Sequence, residues 1–531
     1  MGETVRIKWS TQQVHLYAME QSTIVPRPPA TFSPLVIPLA QESGRPLRWR
    51  LHQGFRAAIL NGQFEPGARL PSTRTLANSL GISRSTVVEA FDQLAAEGFI
   101  ERRIGSGTYV SPQLSGLGAG GRAERPPSAD PHRRPARRMR LASAAPTSLS
   151  ETFAGRSAED RPMAFTPCEP DVELFPHRLW ARMLARHARA PMSWSASPAP
   201  AGLLDLRQAL AAHLTLSRGV TADPDRIIVV SGARQAIFLC AHALLDPGDD
   251  VWCEDPGYPE ARTALAFAGA NVVPVPIDDG GIDVNAAERL APRARAAYVM
   301  PSHQLPTGIV MRLRRRLQLL DWAARNDAWI LEDDYDSEFC YDNRPLTALQ
   351  GLDDHQSVVY IGTLNKVTFP GLGLGYVVAP AAIADALASA AVTMSLSVPL
   401  AVQAAAADFI SEGHLAQHIT RMRGVYGERQ RLLIDELDRQ LGDAIRPEPI
   451  SVGMHVLAAL HGISAQEIAA RGAARGLDLR PLSGYAETSI PGNAIVLGYT
   501  HLPQERIRSA VRVLAQTLAD AHAAVSQRPI T

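Results

Sequence analysis

Lysine is nearly missing from this chain. Only Lys8 and Lys366 are lysine among its 53 basic residues, and all the rest are arginine. A guanidinium stays protonated at any working pH, so arginine cannot serve as an amine nucleophile. Lysine can, and it forms Schiff bases with aldehydes. Lys8 lies near a chain end, where surface lysines are ordinary. Lys366 lies in a glycine-rich loop, Gly362-Thr-Leu-Asn-Lys366 through Gly371-Leu-Gly-Leu-Gly375. Loops of that kind let backbone approach a phosphorylated ligand. Cysteine is also scarce. Cys168, Cys240, Cys253 and Cys340 form no C-x-x-C pair, which excludes a zinc ribbon and a disulfide framework and leaves reduced thiols. Net charge is absent too, at a formal value of zero, so any affinity for nucleic acid has to be local. No apolar run reaches about 18 residues, which excludes a membrane-spanning helix. The first residues lack the basic-then-apolar layout of a secretory signal, and a cytoplasmic protein is expected.

Four segments follow from composition. Residues 1–32 read as a disordered extension, with Met19 as an alternative start. Residues 33–111 form a small helix-rich unit. Residues 112–160 are rich in Pro, Gly, Ala, Ser and Arg, cannot bury a core, and read as a flexible basic linker. Residues 161–525 alternate strand-like runs (Ile227–Val230, Ala297–Met300, Trp329–Leu331, Val358–Ile361) with helical stretches such as Leu203–Ser217 and Arg312–Arg325. That alternation predicts an α/β unit with a mostly parallel sheet. No internal repeat is present.

In the small unit, Ser72 is placed to cap a short helix holding Leu76 and Leu80, which Gly81 ends. Ser83 caps a second helix whose apolar face is Val87, Phe91 and Leu94. Helix, glycine turn, helix is a DNA-binding arrangement in which the first residues of the second helix meet base edges. Two β runs around Gly105-Ser106-Gly107 follow and read as a hairpin, or wing. The segment resembles the winged helix-turn-helix of the GntR family of bacterial regulators. The resemblance implies DNA contacts from Arg69, Arg74, Arg84, Ser85 and Thr86. Arg74 and Arg84 would face bases, Arg69 phosphate, and the wing glycines Gly105 and Gly107 would lie near the minor groove.

In the large unit several short stretches point to one ligand. Ser231-Gly232-Ala233-Arg234 follows a strand and opens a helix, an arrangement suited to a phosphate. Glu254-Asp-Pro-Gly-Tyr258-Pro sets an aromatic after a strand, where it could stack on a planar ring. Met300-Pro-Ser-His303-Gln304 is a polar turn placed to touch a ring substituent. Glu332-Asp333-Asp334-Tyr335-Asp336 ends a strand in carboxylates, one of which could pair with a protonated pyridine nitrogen. No His/Cys ligand spacing lies near them, so no metal is expected.

Phosphate turn, aromatic, polar turn, acid and lysine, in that order, resemble the fold-type I pyridoxal 5′-phosphate (PLP) enzymes of the aspartate aminotransferase class. Joined to a winged helix, the layout is similar to the MocR-type regulators of the GntR family. The resemblance implies that Lys366 forms the internal aldimine, Asp333 faces the pyridine nitrogen and Tyr335 the phenolic oxygen. Tyr258 would stack on the ring, Ser231, Gly232 and Ala233 would hold the phosphate, and Arg234, His303, Gln304 and Asn365 would complete the cofactor shell. It implies a head-to-tail homodimer that binds a double-stranded DNA operator and senses an amine, an amino acid or PLP itself.

Four positions depart from the family's pattern. Asn365 stands where a serine precedes the lysine, and Gly373 where an arginine grips the phosphate. No tyrosine occurs in Ser195–Gly202, and no carboxylate-clamping arginine in Ala494–Tyr499. A lost charge-assisted contact of about 1.5–3 kcal/mol weakens PLP by roughly ten- to a hundredfold. Arg234 is the residue placed to compensate. Two other readings therefore stay open: an active aminotransferase with an added DNA-binding domain, and a regulator that has lost PLP. Arg480 is a further cation that sequence alone does not place.

Overall fold

The computed structural model describes residues 46–103, 105–114, 162–189, 199–341, 346–448, 452–488 and 492–526. The expected extension (1–32) lies outside these residues, as do all but the first three positions of the expected linker and Ser195–Pro198. The chain divides into two units.

The smaller unit holds α1 (Leu47–Leu60), α2 (Thr73–Leu80), α3 (Arg84–Ala96) and an antiparallel hairpin of β1 (Ile100–Arg103) and β2 (Gly107–Val110). Ser72 and Ser83 accept the Thr75 and Thr86 N–H groups as caps, and Gly81 closes α2 at φ 64°. Leu51, Phe55, Val87, Phe91, Leu94 and Val110 fill its core. The Phe55 and Phe91 rings meet edge-on at 5.3 Å. No sequence signal had marked α1, whose inner face completes that core.

The larger unit contains β3 (Ile227–Val230), β4 (Asp250–Asp255), β5 (Asn271–Asp278), β6 (Gly281–Ile282), β7 (Ala296–Val299), β8 (Trp329–Asp334), β9 (Val358–Thr363) and β10 (Gly375–Val378). They form one sheet in the order β3-β10-β9-β8-β7-β4-β5-β6. Pairings from β5 through β9 are parallel, while β10 runs against both neighbours and β6 against β5. Alternate side chains serve two cores, as the strand period requires. Val251, Cys253 and Leu331 pack with Ile237 and Cys240 of the Ala233–Leu244 helix. Trp252 and Ile330 pack on the opposite face with Leu319 and Trp322 of the Leu313–Asn326 helix, the two tryptophan rings 3.8 Å apart.

A second sheet went unread in the sequence. β11 (Ile445–Pro447), β12 (His455–Leu460), β13 (Arg480–Pro481) and β14 (Ala494–Gly498) form an antiparallel layer ordered β11-β12-β14-β13. The His414–Leu441 and Gln504–Ser526 helices pair with it through Leu433, Leu497 and Ile507. Among the described residues no helix is long and apolar enough to cross a membrane.

Arg218, at the end of the Leu204–Arg218 helix, locks this helix to the end of β8. Its guanidinium donates to Asp334 at 2.7 Å, to Ser302 at 2.6 Å and to the Leu346 carbonyl. Both members of the ion pair are buried. Replacing only one partner strands the other charge, which costs about 3–5 kcal/mol. Arg218→Met is expected to destabilise the larger unit by that amount, measured by denaturant unfolding, while Arg218→Met with Asp334→Leu recovers much of it.

Candidate functional site

The carboxyl ends of β3, β4, β7, β8 and β9 and the start of β10 share one rim of the sheet. Open α/β sheets bind ligands at that rim. A cavity of about 850 Å³ opens there, large enough for a cofactor together with a small ligand. Ser231, Gly232, Ala233 and Arg234 line it from the turn after β3, and Tyr258 from the turn after β4. Asp333 and Tyr335 enter from the end of β8, Asn365 and Lys366 from the loop after β9.

Three consecutive acids end β8, and the strand period separates them. Glu332 turns away and accepts the Leu349 and Gln350 N–H groups at 2.7 and 2.8 Å. Asp334, on the same side, takes Arg218 and the Tyr360 hydroxyl. Asp333 alone reaches the cavity. Its Oδ2 accepts the Tyr298 hydroxyl at 2.5 Å, and its Oδ1 is buried without a partner. Of the unpartnered buried polar side-chain atoms among the described residues, it is the one whose residue lines the cavity. Burial pushes the Asp333 carboxyl up to about 7, against the Tyr298 hydroxyl, which favours ionisation. A buried oxygen of this kind fits the N–H of a pyridinium ring.

Lys366 donates to the Cys168 backbone carbonyl at 2.8 Å. The Lys366 loop is closed by the Leu364 N–H on the Leu374 carbonyl. Asn365 Oδ1 accepts the Leu374 N–H at 3.0 Å. That bond orients the amide, so its NH₂ group faces Gly232, 3.3 Å from where a Cβ there would stand. Asn365 thus offers a donor to the turn after β3. Gly232 has φ 134° and opens the twelve-residue Ala233–Leu244 helix. A Cβ on Gly375 would stand 2.7 Å from Gly232 Cα, so the start of β10 touches the turn through bare backbone. Ser231 spends its N–H and hydroxyl on Gln235 Oε1, at 2.6 and 2.8 Å. Ser231, expected among the phosphate contacts, therefore has neither donor left for one, while the Gly232 turn, the helix start and the Asn365 amide fit a phosphate held there.

His303 and Gln304, expected in the cofactor shell, do not line the cavity. Gln304 is buried and donates to the Pro256 carbonyl at 2.7 Å and to Glu254 at 3.3 Å, while accepting from Thr307. A buried amide has to meet its hydrogen-bonding needs, and the two turns it ties together supply them. His303 lies behind Tyr335. Met300 and Leu305 give this wall an apolar surface instead.

The remaining wall comes from Glu260, just past the Tyr258 turn, and from segments that carried no local motif: Cys168 and Glu169, Arg480 and Tyr485. Arg480, which the sequence did not place, lines the cavity. It sits on β13 opposite Val496 of β14, one strand over from the run that lacks arginine. Its guanidinium bonds Asp478 at 3.0 Å, and the acidic and phenolic neighbours Asp478 and Tyr485 keep it charged despite burial.

In the small unit Arg74 on α2 and Arg84 and Ser85 at the start of α3 are exposed. Thr86 is half-buried, and its hydroxyl meets Ser83 Oγ at 2.7 Å, so it serves the helix cap. Arg69 pairs by backbone with Tyr109, and its guanidinium lies 3.1 Å from where a Gly107 Cβ would stand. Gly105, at φ 74°, turns the hairpin. Arg103, which the motif reading missed, covers the Tyr109 ring at 4.6 Å. The adjacent Arg102-Arg103 before the wing was the available signal.

Two outcomes follow. Asp333 ionises less readily folded than unfolded, so stability falls as pH rises from about 4 to about 7. Cofactor-free Asp333→Asn is expected to melt close to wild type at or below about pH 4 and increasingly above it up to about pH 7 and beyond, by calorimetry. Arg84→Ala is expected to weaken binding to duplexes selected from a random pool by about ten- to a hundredfold and to relax the selected sequence, by gel shift.

A family model described as bacterial regulatory proteins, gntR family, matches residues 49–110, and one described as aminotransferase class I and II matches residues 171–469. The probable rhizopine catabolism regulatory protein MocR of Rhizobium meliloti is 37% identical over 487 residues, covering 90% of this chain and 94% of its own length. The pyridoxine biosynthesis transcriptional regulator PdxR of Corynebacterium glutamicum is 31% identical over 86% of this chain and 93% of its own. Among solved structures, the α-aminoadipate aminotransferase LysN of Thermus thermophilus, complexed with N-(5′-phosphopyridoxyl)-L-leucine, superposes with a TM-score of 0.62. It is 28% identical and covers 68% of this chain and 93% of that one. With both models matched in order and a two-part relative aligned along nearly the whole length, this chain belongs to the MocR-type group of the gntR family of bacterial transcriptional regulators.

Proposed function

We propose that this chain is a PLP-dependent, DNA-binding transcriptional regulator that reads a small amine or amino acid in the cavity of its aminotransferase-like unit. The observation that carries the reading is the meeting of Lys366 and the unpartnered Asp333 oxygen in one cavity, in a chain whose other unit is a winged helix. PLP, when bound, supplies an aldehyde onto which primary amines exchange and a ring that accepts electrons.

This chain's own residues would do the rest. Asp333 holds the ring nitrogen protonated, and Tyr258 and Tyr335 bound the ring. Gly232, Ala233 and the oriented Asn365 amide receive the phosphate, with Arg234 at the same turn making up for Gly373. Lys366 is the group an incoming amine displaces. Arg480 is the cation that would take a ligand carboxylate, with Glu169 and Glu260 at the same wall. Displacement at Lys366 biases which arrangement of a homodimer holds the operator, an equilibrium shifted by differential affinity. The same reading places the protein in the cytoplasm, with the winged helix at about 33–111 joined to the sensor at 161–525.

A second reading, catalytic transamination, gains from Arg480 standing at the cavity wall. Steady-state assays with several amino donors separate the two, since turnover near 1 per second is the low end for enzymes and the regulator reading expects far less. PLP added to the wild type is expected to give the visible absorbance band of a lysine-linked cofactor, and Lys366→Ala to lose it. A chain that shows no band at saturating PLP has lost the cofactor and keeps the fold for another purpose.

A further inference from the structure

Behind the cavity lies a buried group of side chains that the reading above leaves unused. His303 Nδ1 stands 3.0 Å from each Asp336 oxygen and 3.1 Å from the Tyr335 hydroxyl. Asp336 Oδ2 also accepts the Met454 N–H at 3.1 Å. His455 lies beside His303, ring centres 4.8 Å apart. It donates from Nε2 to the Pro306 carbonyl at 3.1 Å and turns Nδ1 to the Cys168 sulfur at 3.7 Å. His303, Asp336 and His455 are close enough to suggest a metal site, but hydrogen bonds already occupy His303 Nδ1 and His455 Nε2.

The proton positions follow from these contacts. A bare Nδ1 would turn a lone pair on two carboxylate oxygens, so His303 Nδ1 carries the proton and gives it to Asp336. His303 Nε2 is buried without a partner, so a second proton there would be an unsatisfied buried donor. The ring is therefore neutral, with Nδ1 protonated. The Tyr335 hydroxyl then has no acceptor in His303. Its oxygen can share the Nδ1 proton, and its own proton is left for the cavity, which Tyr335 lines.

We propose that the Asp336–His303 pair is a positioning device that locks the Tyr335 hydroxyl as a hydrogen-bond donor into the cavity, toward the anionic ring oxygen of the cofactor. The inference rests on PLP occupying that cavity. The other ionisable groups facing Tyr335 are Asp333, Cys168 and Tyr485, and none is placed in hydrogen-bond contact with its hydroxyl. Asp336→Asn tests the device because an amide can still accept Met454 N–H while its NH₂ donates to His303. That moves the ring proton to Nε2 and leaves one Nδ1 lone pair for which the amide and the Tyr335 hydroxyl compete, so the hydroxyl is no longer held toward the cavity, the tautomer logic known from Asp-to-Asn changes beside catalytic histidines.

The first measurement is nitrogen-15 NMR of the histidine rings in cofactor-free full-length protein. His303 is expected to carry its proton on Nδ1 in the wild type and on Nε2 in Asp336→Asn. The second is a pH titration of the absorbance of PLP-loaded protein. Loss of the Tyr335 donor leaves the ring oxygen more basic and the adjoining proton more tightly held. The midpoint should rise by about one pH unit, since an ordinary hydrogen bond is worth about a tenfold change in proton affinity. Asp336→Asn and Tyr335→Phe should give the same rise, and the double variant no more. A wild-type His303 protonated on Nε2 overturns the proposal even if Asp336→Asn does not fold, as does a midpoint that Tyr335→Phe moves and Asp336→Asn does not. Absence of any PLP band in the wild type refutes the cofactor reading instead, while leaving the tautomer assignment standing.

Discussion

Four carboxylates within five residues, Glu332, Asp333, Asp334 and Asp336, are buried at the end of one central strand. An unpaired buried charge is too costly to keep, so the surrounding fold is organised around relieving each one. Two backbone N–H groups answer Glu332, an arginine from a distant helix answers Asp334, and a histidine with a backbone N–H answers Asp336. Asp333 is left half-answered by Tyr298. Asp334 Oδ1 also lacks a partner, but a buried guanidinium balances that carboxylate, whereas Asp333 has only a neutral hydroxyl and faces the cavity, where a ligand can finish what the protein does not. A strand end with one compensated acid on each side of it also cannot slide by a residue, because a slip would exchange Asp333 with Asp334 and put the wrong one in the cavity.

Much of this was legible from local pattern. Serine caps, the glycine that ends α2 and the apolar spacing of α3 depend on a few neighbouring residues, and each took the conformation its chemistry favours. The strand-ending motifs were legible because parallel strands deliver their carboxyl ends to one rim whatever their order in the sheet. What escaped was non-local. Arg480 reaches the cavity through antiparallel pairing in a second sheet that no periodicity announced. Cys168 and Tyr485 arrive from segments more than three hundred residues apart in sequence. His303 and Gln304 were misplaced for a different reason. A polar side chain in a turn after a strand looks the same whether it faces a ligand or satisfies the turn itself, and only the positions of Pro256, Glu254 and Asp336 decide between them.

The departures from the family's phosphate contacts take on a clearer meaning once the lysine loop is seen. Asn365 is held by Leu374 in an orientation that aims its donor at Gly232, so it presents a hydrogen-bond donor to the turn after β3. Gly373 leaves open space beside it, and Arg234 lines the same cavity from the opening of the Ala233–Leu244 helix.

The bare contact between Gly375 and Gly232 joins the loop that carries the amine to the turn that would carry the phosphate. Gly375 cannot acquire a side chain without pushing the two apart, and Gly232 holds a φ of 134° that side chains rarely adopt, so this seam resists change. Glu169, Glu260 and Arg480 stand on other segments with no part in it. On the proposed reading, descendants of this chain would adopt new effectors by altering that far wall, while the seam that serves the cofactor would pass to them unaltered.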